Sequence, residues 1–308
     1  NKMLIPQRIK KGDVIGVVAP SNPIIDENIE DLEQARKIIE NAGFKVKYSK
    51  NLFSNTNGYS ATSREKAEDI NEMFRDKDVK MIWCAKGGQN SNSTFEYLDY
   101  EVIKNNPKII CGYSDITSLT NIITAKTGLV TFSGTNFKTI ATDETNYSYN
   151  EVMKRFVDGS LELGLEGEKY ETLNEGVAEG QLIGGNLSLT RGLVSGKYSI
   201  DFTDKILFLE ELGIETMPSL ASNFLYYMKQ NGIFDKIKGL WIGNYEHESG
   251  ITLEKVILDV LEGEYDFPII KSNNFGHTET KTVIPIGTKA KIDTKNERKI
   301  ELIEKCVN

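Results

Sequence analysis

The sequence is poor in the residues from which many active sites are built. Its 308 residues include two His, three Cys, two Trp and seven Pro. Cys84, Cys111 and Cys306 form no CxxC pair. Cys84 and Cys111 sit inside apolar runs and read as buried thiols rather than disulfide partners. With only His247 and His277, a zinc site would need Cys or carboxylate help at spacings the chain does not show, so neither a metal nor another cofactor is expected. Chemistry that needs an imidazole has two candidates. No apolar run approaches the roughly 18 residues a bilayer span requires. The run at residues 14–19 is short and lacks a small-residue cleavage site, so it does not read as a signal peptide. Net charge is −8, with lysines interleaved among acids, and no basic stripe marks a nucleic-acid or anionic-lipid surface. A cytoplasmic protein without nucleic-acid or membrane partners is expected.

What is present is globular: 39% hydrophobic and 27% charged residues over a length that suits one large or two ordinary domains. Up to about residue 135, short apolar runs alternate with helical periods. DVIGVVA (13–19), VKMIWC (79–84) and the run ending IIC (109–111) read as buried strands. Residues 27–41 carry apolar Ile29, Leu32, Ile38 and Ile39 at helical spacing before Gly43. Such alternation predicts parallel βαβ units, with ligands beyond the carboxyl ends of the strands. Three polar turns fall there: APSNP (19–23), AKGGQNSNS (85–93) and GYSDIT (112–117). The expectation is an α/β fold, with a mostly parallel Rossmann-like N-terminal sheet covered by helices on both faces. Residues 1–138 form that domain, 139–178 a polar, acidic linker, and 179–308 a C-terminal α/β domain of mixed strands, with the site between the two.

Four features could carry chemistry. Ser114 follows a strand and opens a helix, so it is either a helix N-cap or a nucleophile above the sheet, with the Asp115 N–H near a developing oxyanion. On this stretch alone both readings stand. The sequence is not G-x-S-x-G, since Ile116 and Thr117 follow. Gly87 and Gly88 allow a close backbone approach to a ligand, or simply a turn. Glu210 ends the strand ILFLE and could orient an imidazole, although Glu211 beside it shows that acids also occur where strands leave the core. His277 lies in a loop, NNFGHTET, while His247 between two acids in NYEHES looks like an exposed loop residue.

Taken in order, GGQNSNSTFEYLDYEVIKNNPKIICGYSDITSL, GGNLSLTRGL, KILFLEE and FGHT resemble the motifs of the LD-carboxypeptidase family, and most closely its branch of microcin C immunity peptidases. The resemblance covers residues 10–290. It implies a serine carboxypeptidase or amidase with Ser114 as nucleophile, Glu210 as acid and His277 as base. It implies an oxyanion hole around Gly88 and Asp115, and Glu246 in GNYE as a receptor for a substrate amino group. The substrate implied is a small peptide or a peptidyl- or aminoacyl-nucleotide, with a muropeptide of peptidoglycan recycling as the alternative. A non-catalytic peptide-binding protein ranks below both. The resemblance also implies a homodimer. Two features bear on branch and substrate, and a further departure is SGTNF after the strand 129–132, where relatives often have Gly-Pro. Lys86 and Gln89-Asn90-Ser91-Asn92 flank the glycines, where the recycling enzymes carry an Arg-Gly-Gly-Tyr-Gly-like turn. No Trp lies in 136–200, where the immunity branch stacks aromatics on a nucleotide, leaving Tyr147, Tyr149 and Tyr170 as substitutes.

Overall fold

A computed structural model describes residues 2–308. The alternating segments of the first half become β1 (Val14–Val18), α1 (Asp26–Asn41), β2 (Lys45–Tyr48), α2 (Ser63–Arg75), β3 (Val79–Cys84), α3 (Tyr100–Asn105), β4 (Ile109–Gly112), α4 (Ile116–Thr127) and β5 (Thr131–Ser133). These strands pair in parallel in the order β5-β4-β3-β1-β2. Successive side chains leave opposite faces of a strand. Met81, Trp83, Ile109 and Cys111 therefore meet α1 on one face, whereas Ile82, Cys84 and Ile110 meet α2 and α4 on the other. Each large apolar side chain so buried contributes about 1.5–3 kcal/mol relative to exposure. Thr62 caps α2, its hydroxyl accepting from Glu65 N–H.

The segment 139–178, expected as a linker, is built into both units. A 3₁₀ turn at Lys138–Ala141 leads to α5 (Tyr147–Phe156), whose Val152 and Phe156 pack beside α1 in the first core. β6 (Glu171–Asn174) then forms an edge of the second sheet. The apolar stripe of α5 is short and interrupted by polar residues, which hides its period.

The second unit comprises β7 (Val177–Asn186), α6 (Leu187–Arg191), β8 (Ile206–Glu210), α7 (Pro218–Gln230), α8 (Ile233–Lys236), β9 (Gly239–Ile242), α9 (Leu253–Leu261) and β10 (Ile269–Lys271). β7, β8, β9 and β10 are parallel neighbours, and β6 joins β10 antiparallel. The tail divides between the sheets. β12 (Lys289–Asp293) and β13 (Ile300–Leu302) pair antiparallel and extend the second sheet beyond β7. β11 (Ile284–Ile286) instead crosses to the first sheet and pairs antiparallel with β5. Cys306 and Val307 also pack in the first core. The first unit is thus completed by residues far along the chain.

Candidate active site

Among these elements the three polar turns converge. β1, β3 and β4 run in parallel, so APSNP, AKGGQNSNS and GYSDIT emerge side by side at the carboxyl edge of the first sheet. Ser114 stands between β4 and α4 with φ +64, a left-handed conformation that costs a residue with a Cβ. The hydroxyl makes no cap bond to α4. It meets His277 instead, Oγ to Nε2 at 3.1 Å. The other ring nitrogen of His277, Nδ1, lies 2.7 Å from Glu210 Oε2. One imidazole therefore bridges a hydroxyl from the first sheet and a carboxylate from the end of β8. Burial alone would lower the His277 pKa, but the charge of Glu210, its hydrogen bond and the charge of Glu211 outweigh that, and the net shift is upward.

Asp115 does more than begin a helix. It occupies the N-cap position, yet its carboxylate makes no cap bond. It accepts from Ser21 Oγ and from Ser91 N–H at 2.9 Å, while Ser91 Oγ donates to its carbonyl at 2.8 Å. All three turns are thereby tied at one buried carboxylate. The Asp115 side chain thus braces the loops rather than capping α4.

The di-glycine turn passes directly over the nucleophile candidate. A Cβ on Gly87 would sit 3.2 Å from Ser114 Cβ. Gly88 has φ +130, and a Cβ there would collide with Asn22, so only glycine fits. Asn22 anchors the turn, donating from its N–H to Gly87 O and accepting from Gln89 N–H. Among the described residues, the N–H groups of Gly88 and Asp115 make no intramolecular hydrogen bond and are free to donate to a ligand. Lys86 reaches away, donating to Asn28 Oδ1 at 3.1 Å.

On the second sheet a residue that sequence reasoning missed organises the acids. Asn186, at the end of β7, donates from Nδ2 to Glu210 Oε1 at 3.2 Å and to Glu211 Oε2 at 2.8 Å. Glu211 is saturated by further donors, Ser188 N–H, Ser188 Oγ and Leu212 N–H. Burial, then the charge of Glu210, raises the pKa of Glu211. The same strand joins the two halves. Asn186 N–H donates to Thr117 Oγ1 of α4 at 3.0 Å, and Asn121 brackets Gly184 through both its N–H and its C=O. A Cβ on Gly185 would lie 2.7 Å from Thr117 Oγ1, so the close approach needs glycine. The signal was the motif GGN itself, whose glycines precede a polar residue at a strand end.

Glu246 is exposed past β9, with no hydrogen bond linking its side chain to Ser114, Glu210 or His277. His247 bonds only locally, Nδ1 to Ser249 Oγ at 2.7 Å. Tyr147 is 6% exposed and pairs with Thr282 Oγ1, whereas Tyr170 beside Trp241 and Tyr149 against the first core are half-buried. No group of three or more metal-ligating side chains occurs among the described residues, and no described helix is long and apolar enough to cross a membrane.

Comparison with known proteins fits this arrangement. The family pattern described as the LD-carboxypeptidase N-terminal domain matches residues 15–134, and that of the C-terminal domain matches residues 179–292. A probable murein peptide carboxypeptidase of Bacillus subtilis is 33% identical over 94% of this chain and 91% of its own length. The chain belongs to the LD-carboxypeptidase family. The microcin C7 self-immunity protein MccF of Escherichia coli is 30% identical, covering 96% of this chain and 94% of its own. The structure of MccF in complex with glutamyl sulfamoyl guanosine superposes with a TM-score of 0.90 at 26% identity, over 99% of this chain and 100% of that one. As a member of a peptidase family that includes both kinds of relative, this LD-carboxypeptidase homologue shares its two-sheet α/β architecture with MccF.

Proposed function

We propose that the protein is a serine-type carboxypeptidase or amidase that hydrolyses an amide bond through Ser114, His277 and Glu210. The observation that carries this reading is the imidazole of His277, hydrogen-bonded at one nitrogen to Ser114 and at the other to Glu210. His277 Nε2 takes the Ser114 proton as the hydroxyl oxygen attacks the carbonyl. The backbone N–H groups of Gly88 and Asp115, at the turn closed by Gly87, receive the oxyanion. Glu210 keeps the Nδ1–H tautomer in place and stabilises the imidazolium. His277 then protonates the leaving nitrogen, and water, deprotonated by the same imidazole, releases the acyl group from Ser114. Glu246 is assigned the outlying role of receiving a substrate amino group.

The substrate class is a small peptide or a peptidyl- or aminoacyl-nucleotide, supported by the likeness to MccF, whose structure holds an aminoacyl sulfamoyl nucleotide. A muropeptide is the second reading. It is favoured by the burial of Tyr147, which removes one stacking partner for a nucleobase, and by the murein peptide carboxypeptidase relative. We place the protein in the cytoplasm, a setting supported by its three free, buried thiols. We further place it in a homodimer, for which the exposed Ile214, Met217 and Leu220 provide apolar surface. A fluorophosphonate probe followed by peptide mapping should label Ser114. Turnover of a tetrapeptide against an aminoacyl sulfamoyl adenylate then separates the substrates. An unlabelled Ser114 with no turnover of either compound would refute the assignment.

A further inference from the structure

A cavity of about 300 Å³ opens beside the triad, with His277, Tyr113, Thr278 and Lys281 in its wall. Lys281, like Lys66, is a buried lysine without an acidic partner among the described residues, and it is the one of the two in this cavity wall. It is 8% exposed, yet no carboxylate lies within ion-pair distance of its ammonium among the described residues. Its one hydrogen bond there goes to the Thr278 carbonyl, which leaves donors unused on a group that has three. The ammonium stands 5.0 Å over the ring of Tyr113, and that ring lies 5.2 Å from the ring of His277. Burial lowers the Lys281 pKa, while the charges of Asp143, Glu210 and Glu279 oppose that. A buried cation short of partners is costly unless an anion completes it.

The two acids that share the cavity do not supply that anion. Asp143 is occupied at the start of α5, accepting from Thr145 N–H at 3.0 Å and Ser148 N–H at 2.8 Å. Glu279 is exposed to solvent. Geometry identifies the side of the site. His277 must hand its proton to the leaving nitrogen, so the leaving group departs along the imidazole and into the cavity that the imidazole walls. When a peptide loses its C-terminal residue, the carboxylate of that residue is two bonds from the leaving nitrogen. The cation then lies one aromatic ring beyond the base, on the side where this carboxylate would go.

We propose that Lys281 is the anchor of the leaving-group subsite, its ammonium holding the carboxylate of the C-terminal residue that hydrolysis releases. This rests on the carboxypeptidase reading above, and it makes Lys281 a specificity determinant. Tyr113 is the platform that keeps the ammonium in line with His277. A substrate whose terminal carboxylate is masked as an amide loses the ion pair and keeps the rest of the site.

The test measures binding without turnover. In the Ser114→Ala protein, calorimetry compares a tetrapeptide ending in a free carboxylate with the same peptide ending in an amide. The acid should bind on the order of 30- to 100-fold more tightly, as expected for a desolvated charge pair. In Ser114→Ala/Lys281→Gln, which keeps a donor for the Thr278 carbonyl, acid and amide should bind alike. In Ser114→Ala/Lys281→Arg most of the preference should return. Equal binding of acid and amide in the Ser114→Ala protein overturns the proposal without any change at Lys281, and so does a preference that survives the Gln variant. Failure of the hydrolase reading looks different: the acid preference persists, while fluorophosphonate leaves Ser114 of the unaltered protein unlabelled.

Discussion

At the carboxyl edge of the first sheet, the nucleophile candidate is held by its own neighbourhood. Strand β4, a turn at φ +64 and helix α4 follow one another without a break, and Asp115, the next residue, fastens the adjoining turns. At the carboxyl edge of the second sheet, nothing local makes the site. Glu210 and His277 are 67 positions apart, and the acid is held by Asn186 from a third strand. The nucleophile therefore sits at a strained turn braced by neighbouring turns of its own sheet, whereas the acid and base reach it from a different sheet and a separate loop. Damage to the first should fall on chemistry alone. Damage to the second, or to the joint between them, should fall on chemistry and stability together.

The largest effect is expected at Ser114. Ser114→Ala should cut kcat by roughly 10⁴- to 10⁶-fold without unfolding the protein. Ser114→Gly should be as inactive yet more stable by about 1 kcal/mol, because glycine accepts the positive φ freely. A lower urea midpoint for the Gly variant would contradict a strained turn. Glu210→Gln comes next, with kcat falling about 10⁴-fold through the wrong imidazole tautomer. It also carries a pH signature. The base must be neutral, so kcat/KM should rise with pH through a His277 pKa above its ordinary value, and this limb should move to lower pH in the Gln variant. Stability has the opposite sense. The raised pKa adds stability that is fully present below the unfolded-state pKa and is lost as pH rises through the folded-state value. Titrating the urea midpoint from pH 5 to 9, as a check over roughly the imidazole range, should show that loss in the parent and not in Glu210→Gln.

Gly185→Ala probes the joint. Its Cβ would press on Thr117, and the strain should cost about 1–3 kcal/mol with a parallel fall in kcat. Unchanged kcat in a destabilised variant would show that the two halves need not stay in register. The smallest effect belongs to His247→Ala, which should change stability by no more than about 0.5 kcal/mol and leave kcat/KM intact.

The same contrast explains what could be read in advance. The parallel order of the first sheet and the convergence of its three turns follow from local period and from where the polar stretches stop. GYSD alone left Ser114 open between cap and nucleophile, since both uses need a strand, a turn and a helix start. Only contact with His277 distinguishes them, and that contact is not local. Asn186 was passed over because its partners lie on another strand and an Asn after two glycines reads as a turn. Glu211 looked like an incidental acid because its donors come from a helix start and a strand end brought together by folding. The residues 139–178 looked like a linker because the buried face of α5 carries Ser148, Glu151 and Arg155 among its apolar residues. The pairing of β11 with β5 is a long-range contact that the run IPI does not announce.

That crossing strand sets the order in which the molecule can be made. Until residue 286 has left the ribosome, β5 is an open edge, and the sheet that bears Ser114 lacks its sixth strand. Glu210 and His277 have been synthesised by then, so the last step that closes the nucleophile's own sheet follows the arrival of both its partners. A nascent chain cut short anywhere before β11 would carry every residue of the triad that it has already synthesised, but not the completed platform that aligns them.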